Sequence, residues 1–263
     1  MTRIFVIPGH GAGDSGAVGN GYQEQERVRA LAIRIKALGG DSVTLADFSR
    51  NYYADNGISS LSIPSDTQII ELHMDSATAS ARGGHVIIYS GFEPDEYDEA
   101  LAKFISSFMP GRSVLISRRS GLANPARAAA KGYGYRLMEC GFISNASDVA
   151  KFNSNMDDLA RGILAAFEIS ASGSSGSSGS SDSFGGTYRC TVDALNVRDA
   201  PSLSGNVVAS YSEGQTVVLD DWYKIADGWV WGRYTGASSG KKRYIAIGKP
   251  TGGYDPSDYL VKV

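Results

Sequence analysis

Residues 4–38 read IFVIPGHGAGDSGAVGNGYQEQERVRALAIRIKAL, and this stretch decides the fold of the first part of the chain. Four consecutive apolar residues predict a buried strand, a glycine-rich stretch follows, and the segment from Gln23 to Leu38 predicts a helix. Within that helix Val28, Leu31 and Ile35 recur at spacings of three and four, so one face is apolar. A strand, a loop and an amphipathic helix in this order indicate an α/β structure in which the helix packs on a sheet.

Apolar runs and helical patterns continue to alternate up to residue 169. The predicted strands are Val43–Leu45, Ile69–His73, Val86–Tyr89, Ser113–Ile116 and Tyr135–Glu139, and the predicted helices are Pro94–Phe108 and Met156–Phe167. The sequence therefore predicts an α/β domain over residues 1–169, with a mixed sheet and helices on both of its faces.

A segment rich in glycine and serine then divides the chain. Residues 170–186 contain Gly-Ser-Ser three times and almost no apolar side chain, which is typical of a flexible linker. After this linker, short strands separated by turn residues predict a small all-β barrel over residues 187–263. All 3 tryptophans lie in this second domain, and we expect part of its aromatic surface to bind a ligand.

Composition and charge exclude several classes of function. The chain carries 25 basic and 28 acidic side chains, so no strong positive field is available and we expect no nucleic-acid partner. No apolar run approaches the roughly 20 residues that cross a bilayer, and the first apolar run is too short for a secretory signal. We therefore expect synthesis in the cytoplasm and no stable membrane insertion. Cys140 and Cys190 fall in different predicted domains, which favours two reduced thiols.

The glycine-rich loop after the first strand contains His10, and it allows two hypotheses. A phosphate-binding loop would use backbone N–H groups at a helix N-terminus, but no Gly-Lys-Ser/Thr or Gly-x-Gly-x-x-Gly motif leads into the helix. A metal site would combine His10 with Glu24 and with His73, at the end of a later strand. Two imidazoles and a carboxylate are a ligand set of catalytic zinc, so we expect Zn²⁺ where these three residues converge at the carboxyl edge of the sheet.

A zinc hydrolase also needs a carboxylate that is not a metal ligand, to take a proton from water and pass it to the leaving amine. Glu139 is the candidate, because it ends an apolar strand and partial burial raises the pKa of a carboxyl group. Arg118 and Arg119 follow another predicted strand, and their guanidinium groups are candidates for binding a carboxylate of a peptide substrate. The alternative for both arginines is a solvated surface position.

Three separated motifs resemble the zinc-dependent N-acetylmuramoyl-L-alanine amidases. They are Gly9-His10-Gly11-x-x-Asp14-x-Gly16-Ala17 with the following Glu24, the strand-end His73, and Glu139-Cys140-Gly141-Phe142-Ile143-Ser144-Asn145. The resemblance spans Met1 to Glu168. It implies hydrolysis of the amide between the lactyl group of N-acetylmuramic acid and L-alanine in peptidoglycan.

The same resemblance implies roles for individual residues. His10, Glu24 and His73 would be zinc ligands, and Glu139 would be the catalytic acid and base. The family often has Ser-x-His-x-Asn around its second histidine, whereas this chain has Glu71-Leu72-His73-Met74-Asp75. The ligand is retained, but the contacts around it are expected to differ.

The second domain resembles bacterial Src-homology-3-like cell-wall-binding domains, chiefly in Leu195-Asn196-Val197-Arg198 and the turns and aromatic residues that follow. Tyr223, Trp231 and Tyr234 are candidates for stacking on a wall glycopeptide. A groove for polyproline II peptides is the alternative. Attachment to a hydrolase favours wall binding, because a module that binds the same polymer raises the effective concentration of substrate.

These inferences predict a modular, monomeric peptidoglycan hydrolase with bacterial peptidoglycan as its partner. Because no signal peptide is evident, we expect a phage endolysin that is made in the host cytoplasm and acts on the wall after release. Two alternatives stay open. One is a zinc peptidase that cuts within the stem peptide or crossbridge, and the other is a non-catalytic wall-binding protein.

Overall fold

The computed structural model describes residues 2–11, 13–171, 184–248 and 258–263. Contacts between residues divide the chain into two compact units, Met1–Ser175 and Gly176–Val263. Residues 172–183, which make up most of the predicted linker 170–186, lie outside the described residues. Within the described part of the chain, no helix is both long enough and apolar enough to cross a membrane.

The first unit alternates strands and helices. Its strands are β1 (Arg3–Pro8), β2 (Val18–Gly19), β3 (Tyr22–Gln23), β4 (Val43–Leu45), β5 (Thr67–Asp75), β6 (His85–Tyr89), β7 (Ile116–Arg119) and β8 (Tyr135–Phe142). Its α-helices are α1 (Glu24–Gly39), α2 (Gly57–Ser60), α3 (Glu96–Phe108), α4 (Ala123–Lys131), α5 (Ala146–Ser154) and α6 (Met156–Ala166).

Six of these strands form one mixed sheet in the order β4-β1-β5-β8-β6-β7. Strands β4, β1, β5 and β8 run parallel to one another, whereas β6 pairs antiparallel with β8 and parallel with β7. The carboxyl ends of β1, β5 and β8 therefore share one edge of the sheet with the start of β6. The prediction of an α/β fold with a mixed sheet is confirmed.

Helices cover both faces of this sheet. Alternate residues of β1 point to opposite faces, so Ile4 belongs to one apolar cluster and Phe5 to the other. The larger cluster joins the sheet to α1, α3, α5 and α6, and the smaller one joins it to α2 and α4. A sheet buried on both faces explains the continuous apolar runs at residues 4–7 in β1 and 86–89 in β6.

Two details differ from the prediction. The strand predicted at Ser113–Ile116 begins only at Ile116, because pairing with β6 fixes its register, and Val114 remains exposed. Helices α2, α4 and α5 were not predicted. The sequence of α4, ANPARAAAK, has no recurring large apolar residue, and its alanines reveal a buried face only once the sheet is beside them.

The second unit consists of β-strands over its described residues. They are β9 (Gly186–Cys190), β10 (Leu195–Arg198), β11 (Val207–Tyr211), β12 (Thr216–Leu219), β13 (Tyr223–Ala226), β14 (Trp229–Thr235), β15 (Lys242–Gly248) and β16 (Leu260–Lys262). They form a five-stranded sheet, β11-β10-β15-β14-β13, and a three-stranded sheet, β12-β9-β16, with antiparallel neighbours throughout. Alternating residues of the two sheets meet in one apolar core.

Candidate metal centre

The turn after β1 positions His10. His10 has a φ of 63°, in the left-handed region that residues other than glycine rarely adopt, and such strain is concentrated at functional sites. The backbone N–H of Gly9 donates to the carbonyl of Leu72 at 2.8 Å, which fixes the turn against the end of β5. The Nδ1 atom of His10 lies 3.0 Å from Oδ2 of Asp14.

Glu24 is the first residue of α1, and its side chain is buried. Its carboxylate accepts hydrogen bonds from the backbone N–H of Ala17 at 3.0 Å and of Met74 at 2.9 Å. The same carboxylate lies between two imidazoles. Its Oε2 is 3.0 Å from Nε2 of His10, and its Oε1 is 3.0 Å from Nδ1 of His73.

The structure therefore brings together the three predicted ligands at the carboxyl edge of the sheet. His10, Glu24 and His73 each offer a ligand atom within 4.8 Å of the others. The glycine loop packs directly against them, because a Cβ atom on Gly16 would come within 2.6 Å of His10 Cδ2 and 2.7 Å of Glu24 Oε2. Gly16 also has a φ of 63°, so the loop needs a glycine here for two reasons.

Glu24 and the two histidines stabilise each other's charged forms. Burial alone would raise the pKa of Glu24, but hydrogen bonds with His10 and His73 outweigh this effect and hold the pKa well below its usual range. Burial would likewise lower the pKa of His10 and of His73, and the interactions with Glu24 raise both instead. In the metal-free protein a negative carboxylate thus sits between two imidazoles.

Two further carboxylates orient the histidines, and sequence reasoning missed their role. Asp14 belongs to the glycine-rich motif, and its Oδ2 contacts His10 Nδ1. Glu71 is buried, and its Oε1 lies 3.0 Å from Nε2 of His73. Asn124 donates to both carboxylate oxygens of Glu71, and the hydroxyl of Tyr135 donates to Oε2. The signal in the sequence was the Glu-x-His spacing, which puts both side chains on one face of a strand.

Glu139 lies beside the same site, in register with His73 on the neighbouring strand. Its Oε2 atom is fully buried and has no hydrogen-bond partner in the described part of the chain. Burial raises the pKa of Glu139 to about 7; the charge of His73 opposes this shift and those of Asp75 and Glu24 add to it. A carboxyl group with this pKa can both accept and donate a proton near neutral pH.

The two predicted substrate-binding arginines point in different directions. Arg118 Nη1 pairs with Glu93 at 2.7 Å, and its Nη2 donates to the carbonyl of Ser90. Arg119 instead lines a groove together with Arg82 and Arg112. Neither arginine contacts the His10, Glu24 and His73 cluster.

The three aromatic residues predicted to bind the wall differ in their burial. Trp231 is 1% exposed and its indole N–H donates to the carbonyl of Ala226, so the prediction that this ring stacks on a ligand is wrong. Its position on β14 turns it into the interior. Tyr223 and Tyr234 are half-buried; Tyr223 packs against Phe184, and Tyr234 meets Tyr211 edge to face.

The donor set fits a zinc ion on chemical grounds. Histidine nitrogens and a carboxylate oxygen are common zinc ligands, and two ligands at about 2.0–2.1 Å in a tetrahedral site are about 3.3 Å apart. The separations of 3.0 Å on either side of Glu24 are close to this value. Carboxylates behind both histidines are also typical of zinc sites. An α/β sheet with this set at its edge and an unliganded carboxylate beside it is typical of metal-dependent hydrolases.

Comparison with known proteins identifies the family. Residues 4–168 match the family model Amidase_3, N-acetylmuramoyl-L-alanine amidase, and the chain belongs to this family. It is 28% identical to the probable autolysin PH of Staphylococcus aureus, over 94% of this chain and 60% of that protein. It is 26% identical to the sporulation-specific N-acetylmuramoyl-L-alanine amidase of Bacillus subtilis, over 84% of this chain and 86% of the relative.

A solved structure shares the fold of the first unit. The CwlD amidase of Clostridioides difficile, in complex with the GerS lipoprotein, superimposes with a TM-score of 0.54 over 63% of this chain and 96% of that chain, at 15% identity. This likeness supports the mixed α/β fold. The chain spans 60% of the length of the staphylococcal autolysin.

Proposed function

We propose that this protein is a zinc-dependent N-acetylmuramoyl-L-alanine amidase, which hydrolyses the amide between N-acetylmuramic acid and the L-alanine of the stem peptide. One observation carries the proposal. His10, Glu24 and His73 converge at the carboxyl edge of the sheet with Glu139 beside them, inside the region that matches the amidase family.

His10, Glu24 and His73 would hold the zinc ion. When bound, zinc would act as a Lewis acid on the scissile carbonyl and lower the pKa of water. The chain fixes the three ligands in advance, because Asp14 contacts the second nitrogen of His10 and Glu71 that of His73. Such outer contacts set the orientation and tautomer of each imidazole.

Glu139 would move the proton. Its pKa of about 7 allows the carboxylate to take a proton from the attacking water at neutral pH and then to give that proton to the leaving amine nitrogen. Among the described residues, no hydrogen-bond partner of the Oε2 atom competes for the proton. Burial keeps this proton exchange away from bulk water.

The second unit would bind the cell wall as a Src-homology-3-like barrel. Two antiparallel sheets around one apolar core support this proposal, and Tyr223 and Tyr234 remain its candidate ligand contacts. The domain organisation would be a catalytic domain over 1–169, a linker over 170–186 and a wall-binding domain over 187–263. We further propose a monomeric phage endolysin, made in the host cytoplasm and acting on peptidoglycan after release.

Mass spectrometry of purified peptidoglycan tests the activity. The full chain, assayed with zinc and again after treatment with a chelator, is expected to release free L-alanine amino termini only when zinc is present. The Glu139→Gln variant, loaded with zinc, is the control for contaminating hydrolases. New termini within the stem peptide or crossbridge would replace the amidase with a peptidase, and no cleavage of several wall types would favour a binding protein.

A further inference from the structure

A basic groove lies at the same edge of the sheet as the metal centre. It has a volume of about 480 Å³, and its lining includes the side chains of Arg82, Arg112 and Arg119 together with Ser113 and Ser117. None of the described residues that line it is an aspartate or glutamate. A groove lined by three arginines and by no described acidic residue is suited to an anion.

Arg112 is held in place from three sides. Its Nη2 atom lies 3.0 Å from His85 Nε2 and 3.3 Å from Asp75 Oδ2, and its guanidinium lies 5.2 Å from the centre of the Phe142 ring. Burial and the charge of Arg112 lower the pKa of His85 to about 4, so His85 is neutral and accepts a hydrogen bond from the guanidinium. Arg112 is therefore ordered before any ligand arrives, which reduces the entropic cost of binding.

Arg119 reaches the groove because strand residues alternate between two faces. Ser117 and Arg119 of β7 both line the groove, whereas Arg118 between them turns away to pair with Glu93. Arg82 lies in the segment before β6, where its Nε donates to the carbonyl of Pro110. Over the described part of the chain, neither Arg82 nor Arg119 forms an ion pair, so no carboxylate there compensates the charge of either guanidinium group.

The groove is close to the proposed reaction centre. Phe142 lines it and lies three residues beyond Glu139 on β8, which corresponds to about 10 Å of strand. Asp75, the partner of Arg112, likewise lies two residues beyond His73 on β5. An extended peptide covers the same 10 Å with about three residues.

We propose that this groove is a carboxylate-binding subsite, which recognises an acidic peptide on the leaving-amine side of the scissile bond. The inference rests on the proposed amidase function and adds a specificity-determining site to it. Guanidinium groups bind carboxylates through paired N–H donors. A neutral sugar offers no charge to compensate Arg82 and Arg119, whereas Arg112 already pairs with Asp75. The acidic group belongs within about three residues of the scissile amide, given the distance along the strands.

The test compares two synthetic muramyl peptides of the same sequence. In one every carboxylate is free, and in the other each is converted to a carboxamide. Binding is measured by calorimetry with the full chain, loaded with zinc and carrying Glu139→Gln so that neither probe is consumed. We expect tighter binding of the anionic probe, and a loss of about three- to fivefold for each of Arg82→Gln and Arg119→Gln.

Independent effects multiply, so the double variant should lose about nine- to twenty-five-fold for the anionic probe and nothing for the amidated one. Arg118→Gln is the matched control on the opposite face and should bind both probes normally. Equal affinity for the two probes, an equal effect of Arg118→Gln, or a preference for inorganic phosphate over the anionic probe would each overturn the proposal. Wall cleavage by the chain with Glu139 intact is scored separately, so failure of the amidase assignment leaves this binding result interpretable.

Discussion

Replacing Glu139 with glutamine removes an ionisable group from the site and keeps its size. The carboxyl group has an ordinary pKa of 4.5 when unfolded and about 7 in the folded, metal-free chain. Between these values the folded state binds more protons than the unfolded state, so the free energy of unfolding falls as the pH rises through this window. The loss amounts to about 3.5 kcal/mol, at about 1.4 kcal/mol for each pH unit between the two pKa values.

Urea denaturation of the chelator-treated protein measures this effect. The described helices belong to the first unit, so circular dichroism at the helix band follows the unfolding of that unit. All 3 tryptophans belong to the second unit, so tryptophan fluorescence follows the second unit separately. Between pH 5 and pH 8, the wild-type chain should lose about 2 to 3 kcal/mol more stability than Glu139→Gln. The same pH dependence in both proteins would refute the argument that Glu139 is neutral when buried.

The same variant separates proton transfer from metal binding. Glu139→Gln should still bind one zinc ion per chain, since Glu139 is not among the three converging ligands. Its turnover should fall by about a hundredfold to ten-thousandfold, the usual effect of removing a general acid and base. Turnover near the wild-type rate would eliminate Glu139 as the proton carrier.

Three other substitutions probe the supporting structure. Glu71→Gln should weaken zinc affinity by about ten- to a hundredfold, because the carboxylate that contacts His73 Nε2 is lost. Competition with a chelating dye measures this affinity, and an unchanged value would show that the contact is dispensable. Gly16→Ala should also weaken zinc binding, because its Cβ would meet His10. Gly21→Ala is the control, since it has a similar positive φ but nothing within 4 Å of its Cβ, and it should leave zinc binding unchanged. Equal effects of the two variants would attribute the loss to backbone strain alone. Arg136→Met should destabilise the first unit by about 3–5 kcal/mol in urea, because it leaves the carboxylate of Asp98 buried without its partner at 2.8 Å.

The order of the strands explains why the site forms where it does. β1 and β5 are neighbours, so the turn after β1 and the end of β5 are adjacent, and the side chains of His10 and His73 meet with ring centres 5.0 Å apart. Glu24 joins them because α1 begins against the end of β5, where the N–H of Met74 donates to it. The site is thus built on element ends that the sheet holds rigidly.

The sequence by itself determined the elements of the first unit and the residue types of its site. Periodicity is local, so apolar runs located strands such as β1, β5 and β6, and the three-to-four spacing located α1. Residue types and strand-end positions indicated His10, Glu24 and His73 as donors, and the family resemblance implied the same ligand set. Helix α4 escaped detection because its sequence contains no large apolar side chain that would mark a buried face.

Only the tertiary structure decided which side chains face which surroundings. Trp231 is buried, Arg118 pairs with Glu93 and Arg119 lines a groove, although nothing in the neighbouring residues distinguishes these outcomes. The raised pKa of Glu139 and the contact between Glu71 and His73 likewise depend on strands that are distant in the sequence. Burial and electrostatic coupling are properties of the folded packing, and the order of residues along the chain specifies them only through the fold.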